Sequence, residues 1–297
     1  MTFMTGVSAF PITPASADGK VDTAALRTLL GRLLAAKVDS IGLLGSTGSY
    51  PYLTREERRR AIEVAVDATG GTTPLLVGVG ALRTDDAVRL AQDAKAAGAT
   101  AGLLAPVSYT PLNDDEVFEH FAAVARASQL PLCIYDNPGT THFTFGPALV
   151  GRISHLAGVV AVKSPAPDAG AVATHLAELR CAVPAGFSVG FSVDLNAVEA
   201  LLAGGDAWYS VAAGLFPQIC MQIVQAVRDK DATEARRLNA RLQPLWELFR
   251  EFSSLRVVYA AADLLDICRA VPPRPILPLA EPARKKVATT IRNLGLS

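Results

Sequence analysis

The sequence carries no excess charge of either sign. Its 28 Lys and Arg are matched by 28 Asp and Glu, and charged residues make up only 19% of the chain. Without a basic surface there is no electrostatic footprint for nucleic acid or for an anionic membrane, and neither is expected as a partner. Cysteine is scarce. Cys133, Cys181, Cys220 and Cys268 lie far apart, with no Cys-x-x-Cys pair and no histidine at ligand spacing. That pattern excludes a zinc motif and a disulfide framework, and it suits four reduced thiols in a cytoplasmic protein with no metal. Residues 1–10 lack a basic stretch followed by an apolar one, so no secretory signal is expected there. Long hydrophobic runs are missing too, because Gly, Pro or charge interrupts each before membrane-spanning length. No Gly-x-Gly-x-x-Gly follows the first apolar run, and no Gly-Lys-[Ser/Thr] follows the Gly-rich turn at 45–49. The dinucleotide and phosphate-loop signatures are thereby absent.

What the chain does have is apolar residues: 50% of its 297 positions. That supports a large core and argues against disorder. The length suits one α/β barrel. Zero net charge favours self-association, so a homo-oligomer, dimer or tetramer, is expected.

Eight short apolar runs recur, at 7–10, 40–44, 75–79, 102–105, 132–135, 159–163, 187–190 and 208–211. Most are rich in Val, Ile and Leu without polar alternation, as in parallel strands covered on both faces. Helical patterns fall between them. Leu26, Leu29, Leu30, Leu33 and Leu34 share one helix face, and so do Val117, Phe121, Val124 and Ala125. Thr54 with Glu57 forms a capping box, and Asn113 with Glu116 a looser one. Thr84 followed by Asp85 and Asp86 suits a helix N-terminus. Eight strand–helix units predict the α/β class and closure into a (β/α)₈ TIM barrel over 1–216; an open doubly wound sheet is the alternative. Helical patterns at 217–230, 232–252, 255–270 and 283–293 predict a C-terminal helical extension over 217–297, packed on the barrel or on a neighbouring subunit.

A parallel barrel delivers every strand's C-terminal end to one face, where chemistry is done. Three features land there. Lys163 ends the run Val159-Val160-Ala161-Val162. Loss of hydration at such a site favours the neutral amine, which attacks carbonyls to form a Schiff base. The plainer reading is a solvated strand-end lysine. Tyr135 precedes Asp136-Asn137-Pro138, so its ring sits at the rim, able to relay a proton or simply to pack. Gly45-Ser46-Thr47-Gly48-Ser49 offers backbone N–H groups and hydroxyls that can cradle a carboxylate, or it is an ordinary turn. His142 follows the tyrosine segment and is read as a partly exposed loop residue, with a pocket role as the alternative. His120, His155 and His175 are read as surface or rim residues. Asp136 and Asn137 are read as fixing the turn after the fifth run through side-chain-to-backbone bonds. Phe143, Phe145, Phe191, Tyr209 and Phe216 lie near strand ends, as core or as pocket lining.

Taken together, these segments resemble the dihydrodipicolinate synthase/N-acetylneuraminate lyase family. The likeness runs from Pro11-Ile12-Thr13-Pro14 through Gly45-Ser46-Thr47-Gly48 and Leu53-Thr54-Arg55-Glu56-Glu57-Arg58 to Tyr135-Asp136-Asn137-Pro138 and Val160-Ala161-Val162-Lys163. The tyrosine-to-lysine interval, 163 − 135 = 28, fits the family. The tail Asn239-Ala240-Arg241-Leu242-Gln243-Pro244-Leu245 is similar to its C-terminal helices.

The resemblance implies a class I, Schiff-base-forming aldolase or lyase, often a homotetramer, acting on pyruvate or another 2-oxo acid with an aldehyde partner. No cofactor beyond the covalent lysine adduct is implied. Lys163 would be the Schiff-base lysine, Tyr135 the proton relay and Ser46 its hydroxyl partner. Ser46 and Thr47, on the loop with Gly48, would hold the carboxylate, and Tyr109, Thr140 and Tyr209 are further expected substrate contacts.

Departures from the family pattern bear on specificity. Ser49 replaces the glutamate of Gly-[Ser/Thr]-Thr-Gly-Glu. Thr140 stands where true dihydrodipicolinate synthases carry an arginine that binds the carboxylate of aspartate semialdehyde; threonine cannot make that bidentate pair. Val107 and Ser108 occupy the positions of a tyrosine pair that reaches between subunits, with Tyr109 one place along. Gly190-Phe191-Ser192-Val193-Asp194 departs from a Gly-Asp-Asp run and is expected to shape the pocket. These changes disfavour lysine biosynthesis and leave an aldolase, a 2-oxo sugar-acid dehydratase or a non-catalytic ligand-binding barrel as alternatives.

Overall fold

The computed structural model describes residues 4–296. Eight parallel strands alternate with helices. In chain order they are β1 (Gly6–Ala9), α1 (Thr23–Ala35), β2 (Ser40–Leu43), α2 (Arg55–Thr69), β3 (Leu75–Gly78), α3 (Thr84–Ala97), β4 (Ala101–Leu104) and α4 (Asp114–Ser128). There follow β5 (Leu132–Tyr135), the short α5 (Pro138–Thr141), α6 (Pro147–Ser154), β6 (Val159–Pro165), α7 (Ala169–Ala182), β7 (Ser188–Ser192), α8 (Asp194–Leu202) and β8 (Ala207–Ser210). The strands pair in sequence order, and β8 closes on β1 with Gly6 opposite Ala207 and Ala9 opposite Ser210. The sheet is the closed barrel expected from the eight apolar runs, and the open-sheet alternative falls away.

The remaining helices are α9 (Pro217–Arg228), α10 (Ala232–Arg241), α11 (Gln243–Phe252), α12 (Ser254–Leu264) and α13 (Glu281–Leu294). Helix α9 follows β8 and packs against β1 and α8, so it completes the ring around the barrel; α10 onwards form the tail. The pattern over 232–252 reads as one helix in sequence but is two. Pro244 has no N–H to continue the ladder and its ring crowds the preceding turn, so the chain breaks at Leu242. The 255–270 helix ends early, at Leu264, where Asp266 takes a positive φ of 54°.

Side-chain caps set several helix starts. Asp22 accepts from Ala24 and Ala25 at α1, and Asn113 with Glu116 makes a complete capping box at α4. At α2 only half of the expected box forms. Thr54 accepts from the Glu57 N–H, but the Glu57 carboxylate is drawn instead to the Val21 N–H at 2.7 Å, tying the loop after β1 to α2. His120 is not a surface residue: it is 8% exposed between α3 and α4, its Nδ1 2.9 Å from the Thr84 hydroxyl, and burial holds its imidazole down to about 4. Sequence alone misplaces it because it sits at the edge of the apolar stripe of α4.

Large and small residues alternate inside the barrel. Phe10, Tyr135 and Tyr209 fill it together with Leu76, Leu103, Cys133 and several alanines. The rings fit only because glycines face them. A Cβ at Gly42 would fall 2.2 Å from the Phe10 ring, and one at Gly190 would fall 2.5 Å from Tyr209. A second apolar layer lies between the barrel and its helices, including Trp208, Phe121, Phe145, Phe191 and Phe216. The aromatic residues near the strand ends, Phe143 aside, are therefore core.

Candidate active site

Strand pairing brings the key residues side by side. In the β5–β6–β7 register Tyr135 lies opposite Lys163, and Lys163 opposite Gly190. The Asp136 N–H donates to the Lys163 carbonyl at 3.0 Å, which locks that register at the barrel mouth. Lys163 is 4% exposed. Its Nζ stands 4.1 Å from the centroid of the Phe10 ring, 4.3 Å from that of Tyr135 and 5.9 Å from that of Tyr209. Among the described residues it makes no salt bridge and no hydrogen bond, although the buried Asp194 carboxylate is near enough to feel its charge. An amine held against ring faces with no directly bound partner is available to an incoming carbonyl.

The Tyr135 hydroxyl has two partners. Ser46 Oγ lies 3.0 Å away, and Asn137 Nδ2 donates to the phenol oxygen at 2.9 Å. A phenol that accepts from an amide keeps its own proton to donate, to Ser46 or to a substrate oxygen. Asn137 is held in place by its carbonyl, which accepts from the Thr140 and Thr141 hydroxyls. The sequence reading gave Asn137 a turn-fixing role and missed its contact with the phenol. The available signal was the i, i+2 spacing, which puts both residues on one face of an extended segment.

The loop after β2 carries Ser46 over the mouth. It turns tightly: Ser49 N–H donates to the Ser46 carbonyl at 3.0 Å, and Ser49 takes φ 55°. Gly48 allows close packing, since a Cβ there would lie 3.0 Å from both the Leu44 Cα and the Thr13 Oγ1. Thr47 is buried, and its hydroxyl makes no hydrogen bond among the described residues.

Three expected substrate contacts fall elsewhere. Tyr109 is 97% exposed on the loop after β4 and does not reach the lysine of its own chain. Thr140 is exposed, and its hydroxyl is turned back onto the Asn137 carbonyl at 3.2 Å. Tyr209 is fully buried. Its hydroxyl lies 3.8 Å from both Cys133 Sγ and Met4 Sδ, towards the closed end of the barrel, so it supports Lys163 from beneath instead of meeting substrate. His142 is exposed and caps α5 in the left-handed conformation. Val193 follows β7 at φ 68° with 44% of its surface exposed, a strained placement for a β-branched residue. Next to it, Asp194 is buried, and its carboxylate accepts from Trp208 Nε1 at 2.8 Å and the Ala212 N–H at 3.2 Å. Burial pushes that carboxyl upward. Among the described residues no three His, Cys, Asp or Glu side chains gather as metal ligands, and no helix is long and apolar enough to cross a membrane.

Comparison with known proteins agrees with this arrangement. The sequence profile of the Dihydrodipicolinate synthetase family matches residues 3–294. The 4-hydroxy-tetrahydrodipicolinate synthase of Methylococcus capsulatus is 32% identical over 285 residues, covering 96% of each chain. That of Chlorobium limicola is 34% identical over 286 residues, covering 96% of this chain and 95% of its own. Among solved structures, a dihydrodipicolinate synthase from Agrobacterium tumefaciens superposes with a TM-score of 0.96 at 53% identity over 99% of both chains. YagE, a prophage protein of the same family from E. coli K12 solved with pyruvate, gives 0.90 at 26% identity over 99% of both chains. By sequence and by fold the chain belongs to the dihydrodipicolinate synthetase family, as an enzyme of the lyase/aldolase type.

Proposed function

We propose that this enzyme forms a Schiff base between Lys163 and pyruvate or a related 2-oxo acid, and makes or breaks a C–C bond to an aldehyde. The observation that carries the reading is the Lys163 amine, unpaired and ringed by aromatic faces, beside the Tyr135–Ser46 hydroxyl pair at 3.0 Å. The amine adds to the C2 carbonyl, and the carbinolamine loses water to give an iminium. Loss of a C3 proton yields an enamine, which attacks the aldehyde carbon; the aldehyde oxygen takes up a proton, and water then releases the product. Tyr135 and Ser46 carry the protons at the oxygen atoms that gain or lose them. The iminium supplies the electron sink, so no separate cofactor is needed. Backbone N–H groups of the 45–49 loop, with the free Thr47 hydroxyl, hold the carboxylate.

The reaction in the relatives' name is not the one favoured here. Thr140 offers no guanidinium to a second carboxylate, and Val193 presents an apolar surface just after β7. These features favour an aldehyde without a carboxylate at that place. Leu82 and Tyr109 are 68% and 97% exposed on the loops after β3 and β4, and large side chains left open to solvent in this way support a homo-oligomer.

The test is intact mass and peptide mapping after borohydride treatment with pyruvate. A reduced pyruvyl adduct on Lys163, absent from Lys163→Ala, is expected. A folded wild-type protein that gains no mass with pyruvate or other 2-oxo acids refutes the covalent reading and favours a ligand-binding barrel.

A further inference from the structure

A second cavity of about 450 Å³ lies behind the 45–49 loop, between the segment after β1, the turn before α2 and the chain between α12 and α13. Its size falls within the range of small-molecule sites, about 300–1,000 Å³. Lys163, Tyr135, Ser46 and Thr47 are not among its lining residues. Five hydroxyl residues line it; Ser16 and Tyr52 are exposed, and three, Thr13, Ser49 and Tyr259, are each no more than 3% exposed. Ser49 and Tyr259 share one long contact of 3.4 Å, and Thr13 Oγ1, buried against Gly48, has no hydrogen-bond partner among the described residues. Buried hydroxyls in native proteins are normally paired, so these three are under-used by the protein itself. A glutamate at position 49, as in the family motif, would bring negative charge against them; the serine leaves the surface neutral.

Prolines stiffen one wall, and the lining carries one charge of each sign. Pro272, Pro273 and Pro278 line one side and limit the backbone freedom an occupant would otherwise have to freeze. Arg274 and Asp18 also line the cavity. Asp18 is already engaged by the Ser16 hydroxyl and by Lys20 at 3.6 Å. Arg274 is exposed and has no ion pair among the described residues. The free charge on the lining is therefore a guanidinium, the group best matched to a carboxylate.

We propose that this cavity binds a small hydroxy- or dicarboxylate, with one carboxylate on Arg274 and a second oxygen function on the Ser49 and Tyr259 hydroxyls. The site is separate from the Schiff-base lysine. Its occupant touches the same turn that carries Ser46, because the Ser49 N–H is bonded to the Ser46 carbonyl at 3.0 Å.

Calorimetric titration with L-malate tests this on the full-length protein in four forms: wild type, Lys163→Ala, Arg274→Ala and Ala17→Phe. Arg274 and Ala17 are both exposed, and a thermal melt of each variant verifies the fold. Binding should persist in Lys163→Ala, weaken about tenfold in Arg274→Ala and vanish in Ala17→Phe, whose ring takes up space at the lining. Loss in Lys163→Ala with retention in Arg274→Ala would put the acid in the barrel and overturn the proposal. Equal binding by all four forms, or no binding by wild type, overturns it as well. Retention in Arg274→Ala with loss in Ala17→Phe refutes the carboxylate assignment.

Discussion

Asn137→Ala isolates the contact that sets the direction of the Tyr135 proton. The amide donates to the phenol oxygen at 2.9 Å, and Ser46 Oγ sits 3.0 Å away on the other side. The substitution removes only that donor, because the Asn137 side chain makes no cap bond to α5 and its carbonyl still serves Thr140 and Thr141. A net hydrogen bond is worth about 0.5–1.5 kcal/mol, and 1.36 kcal/mol is a factor of ten in rate. Proton transfer should therefore slow by about two- to twelvefold. Asn137→Asp goes further. A carboxylate cannot donate, so it captures the phenol proton and breaks the link to Ser46, and a loss on the order of 10- to 100-fold is expected. The assay is exchange of the pyruvate methyl protons in D₂O, followed by NMR, since it reports enamine formation without knowledge of the aldehyde. Adduct formation on Lys163 at equilibrium should be unchanged in both variants. Exchange at the wild-type rate in Asn137→Ala, or faster exchange in Asn137→Asp than in Asn137→Ala, would refute the reasoning.

Asp136 is buried, and desolvation pushes its carboxyl up to about 6. The folded state thus holds this proton more tightly than the unfolded chain, and the group's contribution to stability falls as pH rises from about 4 to about 6. Asp136→Asn keeps an acceptor for the Phe145 N–H and should gain up to about 3 kcal/mol above pH 7 and nothing below pH 4, read from urea midpoints; a gain independent of pH counts against the assignment. Gly190→Ala places a Cβ 2.5 Å from the Tyr209 ring and 2.9 Å from the Ala207 carbonyl. Overpacking of that kind costs about 1–3 kcal/mol, so an unshifted urea midpoint would show that the barrel interior yields more easily than its geometry implies. Thr140→Arg should strengthen binding of aspartate semialdehyde severalfold, through a charge-assisted pair with its carboxylate. A titration without change removes Thr140 from the account of specificity.

Most of the barrel was legible because parallel strands buried on both faces leave uninterrupted apolar runs. Each of the eight runs lies within two residues of its strand, and β6 and β7 merely extend past the expected ends at Lys163 and Gly190. Lys163 and Tyr135 could be paired from the chain because each ends one of two consecutive apolar runs and their interval, 163 − 135 = 28, fits the family resemblance. Contacts between side chains distant in sequence were not legible. Nothing local to Tyr209 says that its hydroxyl reaches Met4 and Cys133 at the closed end of the barrel. Tyr109 has the composition of a pocket residue, and only the loop's projection from β4 shows it exposed. Helix ends in the tail were misjudged where Pro244 and the turn at Asp266 override an otherwise continuous helical pattern.

The rings of Phe10, Tyr135 and Tyr209 close the barrel under the Lys163 amine, and the interior below them is filled. Water can then reach the amine from the mouth alone. In the proposed Schiff-base reaction, the water expelled when the iminium forms, and the water that later hydrolyses it, would use the same opening as the aldehyde. An aldehyde in that opening would delay hydrolysis, and an empty opening would invite it. The proposed order of substrate entry, bond making and release is then that of a vessel with one open end.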